Sequence, residues 1–351
     1  MSQITIDSFS CPLPIMDYDT IQLAHGAGGK LSAELIDKVF MPCFGNQILD
    51  KMEDQAVLER PEGRLAFTTD SFVVSPVFFP GGNIGELAVN GTVNDICMSG
   101  ATPLYLSVGF ILEEGLPIEE LHRIVVSMKA AAEQAGVRIV TGDTKVVNKG
   151  SCDKLFINTS GVGVIPEGLE ISSRRIRPGD KILLSGTIAD HGMAVMTVRE
   201  GLSFQSAIES DTAALNGMVA AMLETGGQIH AMRDPTRGGV ATTLNEWAKT
   251  THLGIRIQQN RLPVRDDVRG ACEILGIDPL YVANEGKLLA VAAPEDAEKI
   301  LLAMRQHPLG KDAVIFGEVV EDHPGKVTMM NPLGVERIID MPVGEQLPRI
   351  C

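Results

Sequence analysis

The sequence predicts an α/β protein of two domains. Its 351 residues exceed what one hydrophobic core usually serves, and a hydrophobic fraction of 44% is enough for two cores. Stretches typical of β-strands and of amphipathic helices alternate along most of the chain, which is the pattern of an α/β fold. A charged segment with a Pro-Gly turn, 172–180, interrupts this alternation near the middle. We therefore place the domain boundary in this segment.

The first half of the chain contains strands and helices that alternate. Runs rich in β-branched and aromatic residues predict strands at 64–70 and 103–112. Apolar residues at helical spacing predict helices at 83–100 and 117–136. The apolar run 137–143 predicts a further strand that ends in a turn. Together these elements predict one α/β domain.

The second half repeats this alternation after the boundary segment. Its elements at 288–294, 295–306 and 313–321 are a strand, a helix and a strand, which predicts a β-α-β unit. The strand pattern becomes weaker after about Val327. The other elements predicted in this half are a helix near 209–225, a loop at 233–239, a helix at 240–249 and a strand at 254–259.

The chain thus divides into four predicted segments. They are a glycine-rich N-terminal segment at 1–45, a first domain at 46–171, a second domain at 172–335 and a flexible tail at 336–351. The tail contains Pro342, Gly344 and Pro348, which favour neither helix nor strand. Its last residue is Cys351, and a terminal cysteine is usually idle because chain ends are frayed and tolerant of change. Other features must decide whether this thiol reacts.

Charge and composition limit the classes of partner. Acidic residues outnumber basic ones by 45 to 30, which argues against nucleic acid and anionic membranes because both attract clustered Lys and Arg. The start of the chain has no basic stretch followed by an apolar run, and no later stretch is apolar enough for a membrane helix. The six cysteines are far apart, so neither a zinc site nor a disulfide framework is indicated. We expect a cytoplasmic protein.

A glycine-rich stretch, HGAGGKLS at 25–32, precedes a helical pattern. Backbone N–H groups and a cation at the start of a helix suit the binding of phosphate. Leu31 follows the lysine where a P-loop has Ser or Thr, so this is a different motif. A flexible turn explains the glycines equally well. The candidate residues of this stretch are Gly26, Gly28, Gly29 and Lys30, with His25 beside them.

Four aspartates stand at predicted element ends. Asp70 and Asp143 directly follow strand-like runs, where open α/β sheets gather their ligands. Asp54 and Asp95 complete the set. Carboxylates in that place suit Mg²⁺ that bridges nucleotide phosphates, although aspartate is also common in turns.

Lys145 and Glu285 are candidates for proton transfer. Lys145 lies two residues after Asp143, and Glu285 in NEGK precedes a predicted strand. A lysine and a glutamate in a shared pocket tune each other's pKa, which favours acid–base chemistry. Each taken alone is more often a surface residue.

The chain resembles a known family in a series of motifs that covers nearly its whole length. The Pro-Arg-Ile-Cys end is the most specific of them. The chain is similar to the hydrogenase maturation proteins of the HypE family, within the ATP-binding superfamily of aminoimidazole ribonucleotide synthetase, thiamine phosphate kinase and selenophosphate synthetase. The motifs are, in order, HGAGG, EDQA, TTDSF, NGTVNDI, GDTKVV, RPGDKILLSG, DPTRGGV, NEGK and PRIC.

The resemblance implies an enzyme that makes the cyanide ligands of nickel–iron hydrogenases. In that family the carbamoyltransferase HypF loads a carbamoyl group onto the C-terminal thiol. The HypE protein then dehydrates this S-carbamoyl group with ATP to a thiocyanate, and the cyano group passes to iron held by the HypC–HypD complex. A tail with Gly and Pro can visit two active sites in turn. The resemblance therefore makes Cys351 the expected carrier.

The resemblance also implies site residues and an assembly. Lys145 and Glu285 would deprotonate the thiocarbamate, and Arg349 would guide the tail. For the fold, it implies two domains of the aminoimidazole ribonucleotide synthetase type, with N-terminal sheets that pair into a barrel-like homodimer. The residues implied to bind Mg²⁺ and ATP are Asp54, Asp70, Asp95 and Asp143, with Gly26, Gly28, Gly29, Lys30 and Asn90 near the nucleotide.

Two alternatives stay open on the sequence alone. The same fold could serve a small-molecule kinase or synthetase, in which case a chain without its tail would still turn over ATP with an added metabolite. The chain could also be a non-catalytic nucleotide-binding scaffold that docks partners through its tail. Replacing Cys351 by Ser would then have no chemical consequence.

Overall fold

Two β-sheets, one in each half of the chain, organise the computed structural model, which describes residues 13–59, 61–202, 208–342, 344, 347 and 350. The strands are β1 (Arg64–Phe72), β2 (Phe78–Phe79), β3 (Gly82–Asn83), β4 (Thr102–Glu113), β5 (Arg138–Val147), β6 (Leu155–Ile165), β7 (Lys181–Leu184), β8 (Ile229–Arg233), β9 (Gly254–Gln258), β10 (Leu289–Ala292), β11 (Val314–Val320), β12 (Val327–Met330) and β13 (Glu336–Ile339). The α-helices are α1 (Lys30–Leu35), α2 (Met41–Phe44), α3 (Ile84–Cys97), α4 (Ile118–Ala135), α5 (Asp190–Arg199), α6 (Asn216–Glu224), α7 (Gly239–Thr251), α8 (Asp266–Leu275) and α9 (Ala297–Gln306).

The N-terminal sheet has the order β1-β6-β4-β5, so β1 and β5 are its two edges. Only β4 and β5 pair in parallel; the other neighbours are antiparallel. Helix α3 packs closely on one face because β6 carries glycine there: a Cβ at Gly161 would lie 2.5 Å from Ile96, and one at Gly163 would lie 2.4 Å from it. Helix α4 packs on α3 and completes this layer.

The other face of the N-terminal sheet carries exposed apolar side chains. Leu65 is 61% exposed and Phe67 is 71% exposed, although both lie within β1. Ile111 of β4 is 42% exposed, and the strand register places it on the same face. We call this surface, defined by Leu65, Phe67 and Ile111, the open face. Apolar residues at alternate strand positions usually mark a face that is covered.

The C-terminal sheet has seven strands with helices on both faces. Its order is β13-β12-β9-β11-β7-β10-β8, and only β12 and β9 pair in parallel. Helix α7 packs on one face through Leu244 and Trp247, whereas α6 and α9 pack on the other through Met218 and Met304. The predicted β-α-β unit is present as β10, α9 and β11, with β7 inserted between its two strands.

Several boundaries differ from the sequence prediction. β1 and β5 do not end at Asp70 and Asp143: each strand continues past its aspartate, because β6 and β4 keep supplying backbone partners after the apolar run has ended. The helix predicted at 209–225 begins only at Asn216. Residues 336–339, predicted as tail, form β13 and pair with β12. Pairing thus extends strands beyond their apolar residues.

The predicted boundary segment, 172–180, lies between the two sheets. β6 of the first sheet ends at Ile165, and β7 of the second begins at Lys181. Within the part of the chain that the structure describes, no helix combines the length and apolarity needed to cross a membrane.

Candidate active site

A cavity of 430 Å³ lies at the β5 edge of the N-terminal sheet, between the glycine-rich stretch and β5. We call it the β5-edge cavity. It is lined by Gly26, Gly28, Asp143 and Lys145, so the structure brings these four predicted residues together. Gly26 must be glycine because a Cβ there would lie 2.5 Å from the backbone nitrogen of Val146 in β5. The glycine-rich stretch therefore lies directly against the strand.

The glycine-rich stretch ends at the start of α1. Gly28 has a φ of +77°, a left-handed conformation that suits glycine, and its N–H donates to Ser32 Oγ at 2.9 Å. Gly29 precedes α1 and Lys30 is its first residue; both are exposed and neither lines the cavity. Of the residues predicted for phosphate, Gly26 and Gly28 thus line the cavity, whereas Gly29 and Lys30 lie outside it.

His25 packs beside this stretch and is almost completely buried. Its Nδ1 accepts a hydrogen bond of 2.8 Å from the backbone N–H of Gln22. Burial lowers the pKa of His25, so the ring is neutral near pH 7 and carries its proton on Nε2. The hydrogen bond with Gln22 gives His25 a structural role. His25 also lies in the wall of the β5-edge cavity, where it could contact a bound substrate or phosphate.

A second cavity, of 360 Å³, lies at the opposite edge of the same sheet, beside β1. We call it the β1-edge cavity. Five carboxylates line it: Asp70, Asp95, Asp234, Glu246 and Glu285. Thr68 Oγ1 donates to Asp95 at 2.7 Å. The structure therefore brings two of the four aspartates predicted for Mg²⁺ together with Glu285, which was predicted for proton transfer, and adds Asp234 from the DPTRGG loop.

Burial and mutual repulsion shape the charge of these carboxylates. Burial raises the pKa of Asp70 and of Asp95, and the charge of Asp95 adds to the effect on Asp70. The pKa of Asp234 is raised by burial and by Asp95, while that of Glu285 is raised well above its usual range by burial and then by Asp234. Such a cluster favours either protons or a bound cation.

Glu285 is held by its backbone while its carboxyl is left available. Its N–H donates to Asp211 Oδ1 at 3.1 Å, and its carbonyl accepts from Asn94 Nδ2 of α3 at 3.0 Å. Gly286 permits this arrangement, because a Cβ there would lie 1.7 Å from the backbone oxygen of Asp211. Among the described groups, none hydrogen-bonds Oε1 of the buried carboxyl. The backbone of Glu285 is thus held in place, while Oε1 of its carboxyl is left without a hydrogen bond from the described groups.

The end of the tail is docked rather than extended into solvent. Ile350 is only 2% exposed and packs in the same core as Met193 and Val282. Its carbonyl oxygen accepts a hydrogen bond of 2.8 Å from His191 Nε2. The predicted carrier, Cys351, lies outside the described residues, as does Arg349.

One chain does not bring all the predicted residues into one cavity. Asp143 and Lys145 line the β5-edge cavity, whereas Asp70, Asp95 and Glu285 line the β1-edge cavity. The reason is the strand order, which puts β1 and β5 at opposite edges. Asp54 is exposed and lines neither cavity, and Asn90 is buried in α3, where it donates to Thr212 Oγ1 at 3.3 Å. The predicted Lys–Glu pair therefore does not share a pocket within a single protomer.

Sequence reasoning missed several residues that build this region. Asp234 lies in the motif DPTRGGV, for which the sequence predicted only a loop. Its acidic side chain could have indicated a site residue. Asn94 lies in the motif NGTVNDI but was given no role, whereas His191 and Asp211 lie in segments that show no motif of their own. Their roles depend on contacts between distant segments, which a single sequence does not display.

Two family models match the chain, in agreement with its two sheets. Residues 52–165 match the N-terminal domain of AIR synthase related proteins, and residues 177–330 match their C-terminal domain. The second match begins inside the predicted boundary segment.

Similar proteins cover almost the whole chain. Carbamoyl dehydratase HypE of Azotobacter vinelandii is 54% identical over 332 residues, which is 95% of this chain and 97% of the relative. A solved structure of hydrogenase maturation protein HypE in complex with ATP has a TM-score of 0.91 at 49% identity and covers 94% of this chain and 99% of its own. A solved HypE–HypF complex has a TM-score of 0.78 at 52% identity, over 88% of this chain and 99% of its own. The chain therefore belongs to the HypE family of carbamoyl dehydratases, among the AIR synthase related proteins.

Proposed function

We propose that this protein dehydrates an S-carbamoyl group carried on its own Cys351 to a thiocyanate, with ATP converted to ADP and phosphate. The observation that carries the proposal is the docked tail end. Ile350, the residue before Cys351, is buried, and its carbonyl accepts a hydrogen bond from His191 at the start of α5. Backbone hydrogen bonds join that part of α5 to Ala283 and Asn284, next to Glu285. A chain end that functioned only as a linker would have no reason to bury an isoleucine there.

The choice of cysteine is supported by the other thiols. Burial raises the pKa of Cys97 well above its usual range, and it raises the pKa of Cys152 and of Cys272 to about 11. These three thiols stay protonated near neutral pH and are poor nucleophiles. Two of them are also buried, which denies access to another enzyme's active site. Cys43 is buried as well, whereas Cys11, like Cys351, lies outside the described residues, so the resemblance of the PRIC end to the family is what selects Cys351.

The reaction balances if the carbonyl oxygen of the thiocarbamate leaves as phosphate. The γ-phosphoryl group of ATP is transferred to that oxygen, and loss of phosphate with removal of both N–H protons leaves the sulfur bonded to a nitrile carbon. We assign Glu285 to accept a proton, since its raised pKa brings a carboxylate closer to the basicity that this step needs. Lys145 is the second candidate for this transfer.

The carboxylates of the β1-edge cavity fit Mg²⁺ carried with ATP. Asp70 and Asp95 are hard oxygen donors whose raised pKa values reflect burial without a full set of counter-charges. No set of three or more such side chains with metal-binding geometry occurs among the described residues. Mg²⁺ commonly takes one or two carboxylates and completes its shell with phosphates and water. When bound, the ion neutralises charge on the phosphates.

The β5-edge cavity suits the nucleotide. Its volume lies within the range of small-molecule sites, and Phe40, Phe44 and Ile139 give it an apolar wall. Gly26 and Gly28 present a backbone that phosphate oxygens can approach closely. We assign the adenine base of ATP to the apolar wall and its phosphates to the glycine-rich stretch. ATP in the solved relative makes this assignment a reasonable one for the present chain.

A homodimer would complete the site. We propose that the open face is covered by the same face of a second copy, and that β5 of one protomer then lies beside β1 of the other. The β5-edge cavity would thereby meet the β1-edge cavity of the partner subunit, which unites Lys145 with Glu285. Exposed Leu65 and Phe67 supply the apolar contact that such a pairing needs.

Two protein partners follow from the proposed reaction. A relative forms a HypE–HypF complex, and we propose the carbamoyltransferase HypF as the partner that loads Cys351 here. We propose the iron-carrying HypC–HypD complex as the acceptor of the cyano group.

Intact-mass spectrometry tests the proposed function. Incubation with the carbamoyltransferase should add one carbamoyl group, and Mg²⁺–ATP should then remove one water while phosphate is released. Cys351→Ala should abolish both changes and retain ATP affinity, since Cys351 is assigned to carry the carbamoyl group and not to bind the nucleotide. An adduct mapped to Cys97 or another cysteine would contradict the proposal. ATP turnover with an added metabolite, by a chain without its tail, would indicate a small-molecule kinase instead.

A further inference from the structure

His191 is a buried histidine whose two ring nitrogens are both engaged. It is the second residue of α5 and is fully buried. Nδ1 lies 2.8 Å from Ser210 Oγ, and Nε2 lies 2.8 Å from the carbonyl oxygen of Ile350. Phe79 packs edge-on against the ring at 5.3 Å between centroids. The imidazole therefore has one fixed orientation.

The contacts of His191 determine its protonation. A carbonyl oxygen only accepts hydrogen bonds, so Nε2 carries the proton that is donated to Ile350. Nδ1 then accepts from the hydroxyl of Ser210. Burial lowers the pKa of His191, which agrees with a neutral ring. The ring is thus a rigid connector between a loop and the end of the tail.

The start of α5 is fastened to the segment that carries Glu285. The N–H of Ala189 donates to Asn284 Oδ1 at 2.8 Å, and that of Gly192 donates to the Ala283 carbonyl at 3.2 Å. A Cβ at Gly192 would lie only 2.3 Å from Val282. The start of α5 and the segment with Glu285 are therefore held firmly together.

The hydrogen bond between His191 and Ser210 also connects His191 to the segment that carries Glu285. Ser210 immediately precedes Asp211, whose carboxylate accepts the N–H of Glu285 and pairs with Lys287 at 3.2 Å. Both the start of α5, which carries His191, and the loop that carries its partner Ser210 are therefore hydrogen-bonded to the segment of Glu285.

We propose that His191 is a positioning residue that holds the carbonyl of Ile350 and thereby fixes the thiocarbamate on Cys351 relative to Glu285. This inference rests on the proposed function. Correct placement of reacting groups contributes strongly to rate, and a misplacement of about 1 Å can cost about 100-fold. Among the described tail residues past 340, the hydrogen bond from His191, buried Ile350 and partly buried Leu347 form a small contact, which the tail can leave for loading by another enzyme.

Two substitutions at His191 separate positioning from packing. His191→Phe keeps a planar ring but removes both hydrogen bonds, whereas His191→Gln provides an amide N–H for Ile350. In a single turnover of pre-carbamoylated full-length protein with Mg²⁺–ATP, His191→Phe should dehydrate at least about tenfold more slowly than wild type. His191→Gln should recover most of the rate. Loading by the carbamoyltransferase and the Kd for ATP should be unchanged in both.

A matched control and a second variant protect the test against misfolding. His230→Gln alters another buried histidine, which pairs with Asp180 at 2.7 Å and makes no hydrogen bond to the described residues of the tail. It should leave the dehydration rate near that of wild type. Ser210→Ala removes the partner of Nδ1, together with the acceptor of the Thr212 N–H at 3.1 Å, and should lower the rate by an intermediate factor. Unfolding temperatures should be recorded for all four variants.

A readout that does not depend on catalysis is the alkylation rate of Cys351 by iodoacetamide, followed by peptide mass spectrometry. The rate should rise in His191→Phe and stay near wild type in His191→Gln, because only the former releases the tail end. Equal dehydration rates in wild type and His191→Phe would overturn the inference, as would failure of the glutamine variant to recover. If wild type itself loses no water, the proposed function fails, and the alkylation rates alone decide whether His191 holds the tail.

Discussion

At Glu285 a fully buried carboxyl has an oxygen, Oε1, that none of the described groups hydrogen-bonds. Burying an ionisable group without a partner lowers stability, and proteins retain such groups where chemistry requires them. The neighbouring charges of Asp234 and Asp211 increase the cost. Glu285 should therefore be important for the reaction and should lower the stability of the folded protein.

Glu285→Gln should lower dehydration by about 100-fold or more and should stabilise the protein at neutral pH. The sign follows from the raised pKa: the folded protein holds this proton more tightly than the unfolded chain does, so wild type loses stability as pH rises above the ordinary pKa of glutamate. Glutamine does not titrate and avoids this loss. Unfolding temperatures at several pH values should show a gain for the variant that vanishes in acid.

Glu86→Gln is the matched control for this prediction. Burial raises the pKa of Glu86 in α3 to about 7, so its substitution should give a similar gain in stability between about pH 4.5 and pH 7. Its dehydration rate should stay near wild type. A Glu285→Gln protein that still forms thiocyanate at the wild-type rate would remove Glu285 from the reaction.

Motifs identified part of the site because glycine turns and acidic residues stand out in a sequence. Gly26 and Gly28 were predicted for phosphate, Asp143 for Mg²⁺ and ATP, and Lys145 for proton transfer, and all four line one cavity. His191 could not be found in this way, because its importance comes from a contact with the opposite end of the chain.

At the scale of elements, the site depends on close approaches between backbone segments. The segment around Glu285 lies against α5 and against the loop that contains Asp211. Glycine at 192 and at 286 makes both approaches feasible, since a Cβ at either position would overlap its neighbour. The geometry of the acid is thus set by main-chain packing.

Gly286→Ala should disturb the site more than its small size suggests. The added Cβ would lie 1.7 Å from the Asp211 carbonyl, so the loop or the segment with Glu285 must shift. We expect a lower unfolding temperature and a large loss of dehydration, with loading of Cys351 retained. The measurements are thermal unfolding and single-turnover mass spectrometry.

Gly270→Ala is the control for the same chemical change. Gly270 lies in α8 with no atom within 4 Å of the added Cβ, and alanine is the better helix former by about 1 kcal/mol. This variant should be slightly more stable and fully active. Wild-type dehydration in Gly286→Ala would show that the close approach does not position Glu285.

The type and order of most long elements could be predicted, whereas their ends could not. Helices α3 and α4 follow from the helical spacing of their apolar residues, and strands β1, β4 and β5 follow from runs of apolar, β-branched and aromatic residues. The ends of β1 and β5 are set by hydrogen bonds to neighbouring strands, which continue after the apolar residues stop. β13 was missed because Glu336 and Arg337 make its sequence polar.

At the scale of the whole molecule, the main question is how the two cavities cooperate. They lie at opposite edges of one four-stranded sheet, and the face between these edges is apolar and exposed. The separation of the two cavities and the exposure of the apolar face are both explained if the open faces of two N-terminal sheets pack on each other. Strand order across a sheet cannot be read from motif order along a chain, so the sequence placed Lys145 and Glu285 in one pocket.

Mixing two inactive variants tests the composite site. Lys145→Ala and Glu285→Ala should each stall at the carbamoylated stage. After subunit exchange, half of the dimers are mixed and each has one complete site, so about one quarter of wild-type dehydration should return. A mixture that stays inactive would place both residues in the same protomer. Light scattering at micromolar concentration should show a dimer, and a monomer would contradict the assembly.

The docked tail end makes the carrier and the catalyst one polypeptide. Substrate and enzyme are therefore always equal in number, and the step on the thiocarbamate is first order in protein whatever the dilution, as long as the dimer holds. A chain that has formed its thiocyanate cannot act again until another protein removes the cyano group. The throughput of cyanide then depends on how quickly Ile350 is released and docked again, and the amount of this protein limits the supply in the way that the amount of a reagent does.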